Sequence, residues 1–217
     1  MSATPPSSRA TVRTRPARAD YDRAAIDAVL DEGLVAHVAI ADGGQPHVIP
    51  MAFARDGDRL LLHGSKASRL MKAMAGGAEI CVMVTLLDGL VLARSAFHTS
   101  VNYRSVAVYG RAREIAEAGA KREAFRRFVE RVIPGRWDRL RPVQEREIGL
   151  TLMVELPLDE CVLKQRSGPP IDDDADYAWP VWAGVLPLRL APGAFVADPR
   201  NLPGHEPDPA LAKPRGR

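Results

Sequence analysis

The stretch LVAHVAIADGGQPHVIPMAFARDGDRLLLHGSKASRLMKAM, residues 34–74, decides the fold. Its first part, 34–42, is a β-type run. The Gly43-Gly44 pair then turns the chain, and 46–56 runs back as a second strand before Asp56-Gly57. Residues 58–65 give a third strand. There the period changes: Leu70, Met71 and Met74 share one helical face, and Gly76-Gly77 stops the helix. A hairpin meander followed by one short helix belongs to an antiparallel sheet that wraps around its own core.

Working outward, residues 22–32 place Ile26, Val29 and Leu30 at helical spacing. Downstream, 79–87 predicts a fourth strand with a turn at Asp88-Gly89, and 91–97 and 101–115 predict two more. Residues 117–133 read as an amphipathic helix, with Ala124, Phe125, Phe128, Val129 and Val132 on the apolar face and Lys121, Arg122, Arg126, Arg127 and Arg131 on the solvated one. Segments 150–158 and 160–168 read as closing strands. Six strands with only one short intervening helix favour a closed antiparallel barrel over a doubly wound sheet, so the expected class is mainly β with peripheral helices. The expected division is a flexible tail over 1–19, one barrel domain over 20–190 and a proline-rich tail over 191–217.

Composition narrows the function classes. The chain of 217 residues is 46% hydrophobic and 26% charged, ordinary for a globular protein. Its net charge of +3 is spread over scattered arginines with only 6% aromatics, which argues against a nucleic-acid partner. No apolar run approaches the roughly 18 residues of a membrane span, and no secretory signal is visible, so a cytoplasmic protein with no membrane partner is expected. Cys81 and Cys161 sit singly in apolar runs, which suits buried thiols and gives no metal-ligand spacing. His37, inside an apolar strand, reads as a packed core histidine.

The chemistry concentrates where the third strand meets the helix: His63, Gly64, Ser65, Lys66, Ala67, Ser68, Arg69, Leu70, Met71, Lys72. Ser65 suits an N-cap, and Lys66, Arg69 and Lys72 add cations beside a helix start that already favours an anion. The segment is either a phosphate site or an exposed basic helix. In the strand His47, Val48, Ile49, Pro50, Met51, the prolines at 46 and 50 cannot donate ladder hydrogen bonds, which marks an edge or leaves backbone free for a planar ring. Alternation along 101–110 puts Tyr103, Ser105 and Tyr109 on one face, toward a ligand or toward solvent. Arg94 and His98 suit either substrate contact or loop hydrogen bonds, and Trp179 and Trp182 either cover a ligand or anchor the tail.

Three patterns in order, GQPHVIPMAF, LLLHGSKASRLMKAM and ARSAFHTSVNYRSVAVYGRARE, resemble the pyridoxamine 5′-phosphate oxidase-like superfamily, in the branch of the 5-nitroimidazole reductase relatives, over roughly residues 20–165. The resemblance implies a split β-barrel that binds FMN without covalent attachment, and a homodimer with its flavin sites at the subunit interface. It implies that His47, Val48, Ile49, Pro50 and Met51 flank the isoalloxazine ring. His63, Gly64, Ser65, Ser68 and Arg69 would hold the ribityl phosphate with help from Lys66 and Lys72, and Ser105 would touch the flavin. His63 would stand beside the flavin as the candidate catalytic group. The C-terminal Arg-x-His substrate signature of the true oxidases is missing; WAGVLPL stands there instead, as in a subset of flavin-binding relatives. Two functions follow: an FMN-dependent oxidoreductase carrying electrons from a reduced nicotinamide or similar donor to a small-molecule substrate, or a non-catalytic flavin or haem binding protein.

Overall fold

A computed structural model describes residues 4–209. In chain order its elements are β1 (Ala19–Asp20), α1 (Arg23–Glu32), β2 (Val35–Asp42), β3 (Gln45–Ala52), β4 (Ala54–Asp56), β5 (Arg59–Ser65), α2 (Arg69–Ala75), β6 (Glu79–Leu92), β7 (Ser100–Arg111), β8 (Arg113–Glu114), α3 (Ala118–Val132), α4 (Glu145–Leu150), β9 (Thr151–Pro157), β10 (Cys161–Arg166) and β11 (Gly184–Pro187). The strands form two antiparallel sheets instead of one closed ring. The larger runs β1-β10-β7-β6-β2-β3 with β11 also on β6, and the smaller runs β4-β5-β9-β8. This is a mainly β, split-barrel architecture with peripheral helices.

Period-two alternation builds the core. Ala36, Val38 and Ile40 of β2, Leu60 and Leu62 of β5, Val82 and Val84 of β6, and Val106 and Val108 of β7 all point between the sheets, and α1 and α2 add Ile26, Leu30, Leu70, Met71 and Met74. The odd residues of β2 consequently face outward, so His37 is exposed and is not a core histidine. A second cluster joins Leu61 and Met153 of the smaller sheet to Ala124 and Phe128 of α3. Lys121 departs from its expected solvated face: it is 4% exposed, with Nζ donating to the Thr151 carbonyl at 3.2 Å.

At the start of the chain, part of the 4–20 segment rests on the larger sheet, where the outer faces of β7 and β10 carry Ala107 and Val162, apolar groups that need a cover, while most of its residues stay exposed. Ala10 is completely buried against them. Arg9 Nε donates to Glu160 at 2.8 Å and its Nη1 to Glu79 at 2.7 Å, and β1 pairs with β10. Strand β6 runs unbroken through Asp88-Gly89, where the sequence predicts a turn. A register shift between Leu87 and Gly89 takes up the irregularity, and a side chain at Gly89 would stand 3.0 Å from the Leu186 carbonyl of β11. From Leu188 to Asp208 no strand or α-helix forms; residues 1–3 and 210–217 of the two expected tails lie outside the described residues.

Candidate functional site

β3 is the free edge of the larger sheet, consistent with its two prolines. Its residues split between two faces. His47, Ile49 and Met51 pair with Ile40, Val38 and Ala36, whose side chains point inward; Val48 and Pro50 pair with Ala39 and His37 on the outer face. The inward set meets α2. Arg69, the first residue of that helix, lies with Nη2 2.9 Å from His47 Nδ1 and Nε 3.8 Å from Asp42 Oδ2. A guanidinium can only donate, so Nδ1 of His47 is the unprotonated ring nitrogen. Ser68, and not Ser65, caps the helix, its Oγ accepting from Met71 N at 3.3 Å; Ser65 Oγ accepts from Ala67 N at 3.1 Å and tightens the turn before it. Gly64 permits the approach: a Cβ there would stand 2.9 Å from Met71 Cγ and 3.9 Å from Met51 Cε. Lys66, Arg69 and Lys72 are all exposed, and neither lysine has a carboxylate within 4 Å among the described residues. This corner gathers His47, Ile49, Met51, Gly64, the turn from Ser65 to Ser68, and Arg69 beside an open strand edge.

His63 does not join them. Alternation along β5 turns Gly64 toward Met51 and Met71 while His63 goes with Leu61 to the opposite face, under α3. Its ring meets Phe128 edge-on with centroids 4.5 Å apart and Phe125 at 5.4 Å. It forms one wall of a cavity of about 560 Å³, which Phe125, Val129, Trp137, Leu140, Val143 and Leu150 make apolar. Cofactor and ligand pockets run about 300–1,000 Å³. Nδ1 of His63 is sealed from solvent with no hydrogen-bond partner, and burial holds the imidazole below its ordinary pKa, hence neutral. Arg141 also lines this space, with Nη1 donating to Glu147 at 3.0 Å.

Ser105 is separate from both places. Its Oγ lies 3.2 Å from Thr85 Oγ1 and 3.0 Å from Met83 Sδ on the outer face of the larger sheet, with β6 and β2 between it and β3. Arg94 is a brace: its backbone N and Nη1 each donate to buried Asp172 at 3.0 Å, and its guanidinium lies 4.8 Å from the Tyr177 ring centroid. Trp179 and Trp182 are 67% and 70% exposed. The sequence reading missed the cavity because the stripe of Phe125, Phe128 and Val129 is what any core-facing helix carries. The available signal was the alternation that sets His63 in line with Leu61.

Two antiparallel sheets split around one core, with an open edge strand beside a strand-to-helix turn, define the split-barrel class. The family model described as pyridoxamine 5′-phosphate oxidase matches residues 22–165, and the chain belongs to that family. Among solved structures it is similar to the flavocytochrome Anf3 from Azotobacter vinelandii, at 44% identity and a TM-score of 0.91, over 96% of this chain and 97% of that one. It is also similar to the FAD and haem binding protein from Mycobacterium smegmatis, at 38% identity and a TM-score of 0.85, over 89% and 95%. A 5-nitroimidazole antibiotic resistance protein homologue from Bacteroides thetaiotaomicron shares the fold at 20% identity and a TM-score of 0.57, over 67% and 85%. No curated protein sequence matches.

Proposed function

We propose that this protein is an electron-transferring homodimer that binds a flavin at the Arg69 corner and a haem in the cavity under α3. The observation that carries the reading is His63: a neutral, half-buried imidazole whose sealed Nδ1 has no partner, forming one wall of an apolar cavity of cofactor size. A neutral imidazole is a standard iron ligand, and leaving its buried Nδ1 unpaired costs stability. The two most similar structures described above are a flavocytochrome and an FAD and haem binding protein.

Bound in these places, a flavin supplies two-electron chemistry and a haem one-electron chemistry. The chain's own residues bind and position. Arg69, with Lys66 and Lys72, neutralises the flavin phosphate; His47 steadies Arg69, and the backbone of the β3 edge faces the ring system. His63 would ligate the iron, and Arg141, ion-paired with Glu147, would line the haem's edge. FMN is the flavin implied by the family resemblance, whereas similarity to an FAD binder favours the dinucleotide; both place one phosphate at Arg69. An oxidoreductase role, with a reduced nicotinamide or similar donor and a small organic acceptor in the cytoplasm, fits this equipment. The dimer draws support from exposed apolar groups on the outer sheet face, Val35 at 48% and Val48 at 56%, which a second copy would cover.

Absorbance of the purified protein tests the reading. Flavin bands and a Soret band are both expected, with His63→Ala abolishing the Soret band and retaining the flavin. A protein that takes up flavin but never haem, or a variant that keeps its Soret band, refutes the His63 assignment. Heat-released flavin compared with FAD and FMN standards identifies the cofactor, and light scattering reads the dimer.

A further inference from the structure

The N-terminal segment that packs on the larger sheet brings a group of cations with it. β1 pairs Ala19 with Lys164 of β10, which sets Arg18 and Arg15 beside the end of that strand, with Arg18 N donating to the Arg15 carbonyl at 3.0 Å. Lys164 and Arg166 pair in register with Ser105 and Tyr103 of β7, so they share the outer face that carries the Ser105–Thr85 hydroxyl pair. Several arginines elsewhere on the body are neutralised: Arg55 by Asp31, Arg59 by Asp56 and Glu155, Arg104 by Glu32 and Asp88. Among the described residues none of Arg15, Arg18, Lys164 and Arg166 has a carboxylate within 4 Å. Arg166 instead donates to the neutral oxygens of Asn102, Gly168 and Pro169. Burial first, then the nearby Arg18 and Arg15, push its guanidinium below its ordinary pKa, so the cations repel one another. Arg15 is also the one non-glycine among the described residues in the left-handed region, at φ 55°. A strained cation held against other cations is a conflict that a bound anion resolves.

We propose that Arg15, Arg18, Lys164 and Arg166 form an anion site on the outer sheet face that takes a phosphate or diphosphate group of a nucleotide. The hydroxyls of Ser105 and Thr85 on the same face add neutral donors. The ligand is a free nucleotide and not the flavin, whose phosphate the reading above sets at Arg69, across the sheet from this face.

The test uses the purified holoprotein at low salt, titrated with pyrophosphate and with ADP by calorimetry, beside Arg18→Gln and Arg15→Gly. Among the described residues neither replaced side chain makes a hydrogen bond or ion pair, and glycine accepts the backbone angle at 15, so Arg15→Gly is expected to melt at the same temperature or higher while binding the anion less well. If the holoprotein binds pyrophosphate and ADP, each variant weakens both by about tenfold, and added salt weakens them further, the site takes a free nucleotide. If it binds neither pyrophosphate nor ADP, the proposal is overturned, and a retained flavin in that case leaves the flavin reading standing. Anion binding that the variants leave intact overturns the proposal, as does equal weakening of FAD and FMN.

Discussion

Replacing His63 by leucine should make the haem-free protein more stable while ending haem binding. The native ring is mostly buried, packs on Phe125 and Phe128 and has no hydrogen-bond partner at the sealed Nδ1. A buried polar group left unpaired costs about 1–3 kcal/mol. Leucine has a similar size, buries no polar atom and keeps the contact with α3, so a net gain of about 1–3 kcal/mol is expected. For a chain of this length that is roughly 2–10 °C in melting temperature. The gain should also depend on pH. Burial lowers the folded-state pKa of His63 below its unfolded value of 6.5, so between the two the unfolded chain binds the extra proton and the native protein loses stability as pH falls. The advantage of His63→Leu should therefore widen below pH 6.5 and level off once the folded histidine has itself protonated. Urea unfolding of haem-free wild type and variant across this range measures both effects. A leucine variant less stable than wild type by 1 kcal/mol or more, or a gap flat with pH, would show that His63 is a satisfied packing residue, and the cavity reading would fail with it.

Arg69→Ala should weaken binding of the phosphorylated flavin by about ten- to a hundredfold, the loss of one charge-assisted hydrogen bond, and leave riboflavin affinity unchanged; equal losses for both would make Arg69 structural. At Gly64, alanine brings a methyl to 2.9 Å from Met71 Cγ, so Gly64→Ala should cost about 1–3 kcal/mol in chemical unfolding and loosen flavin, and an unaffected protein would contradict the close approach of α2 to β5. Burial alone would raise the Asp56 pKa, but hydrogen bonds from Arg59 and Arg127 prevail and hold it below its ordinary value. Its stabilising share is therefore present above the unfolded carboxylate range and lost as pH falls through the lower folded value. Asp56→Asn should thus cost about 1–2 kcal/mol at neutral pH and nothing in strong acid, with a pH-independent cost as the contrary result.

The fold was legible where one local rule acted alone. The Gly43-Gly44 turn, the apolar triad Ile26, Val29 and Leu30, and the change of period after Ser65 each fix an element without knowledge of the rest. What failed to show needs a partner distant in sequence. Nothing in residues 4–20 announces that Ala10 will be sealed by Ala107 and Val162, since its burial is decided by the outer faces of strands far downstream in the chain. Asp88-Gly89 has the chemistry of a turn, yet pairing with β7 on one side and β11 on the other outweighs it. Lys121 sits on the polar side of its helix by composition, but the Thr151 carbonyl waits beneath it. The candidate site divides the same way: the nearness of His47, Gly64 and Arg69 follows from hairpin and helix, whereas the position of Ser105 depends on strand order.

The separation of His63 from Gly64 is the most informative of these outcomes. Consecutive residues of an extended strand point to opposite faces, so a functional residue beside another in sequence belongs with it only if both act through the backbone or along one face. Gly64 acts by lacking a side chain, letting Met71 and Met51 close around β5 on the inner side, while His63 acts through its ring on the outer side. On the proposed reading, β5 is then a shared wall: one cofactor lies toward α2 and the other toward α3, with a single strand between them. The thickness of a packed sheet layer, on the order of 10 Å, sets the scale of that separation. Coupling between the two sites would therefore be a property of β5 and its partner β9. It would require no moving element, since Leu61, Leu62, Met153 and Val154 hold that part of the smaller sheet with no exposure at all.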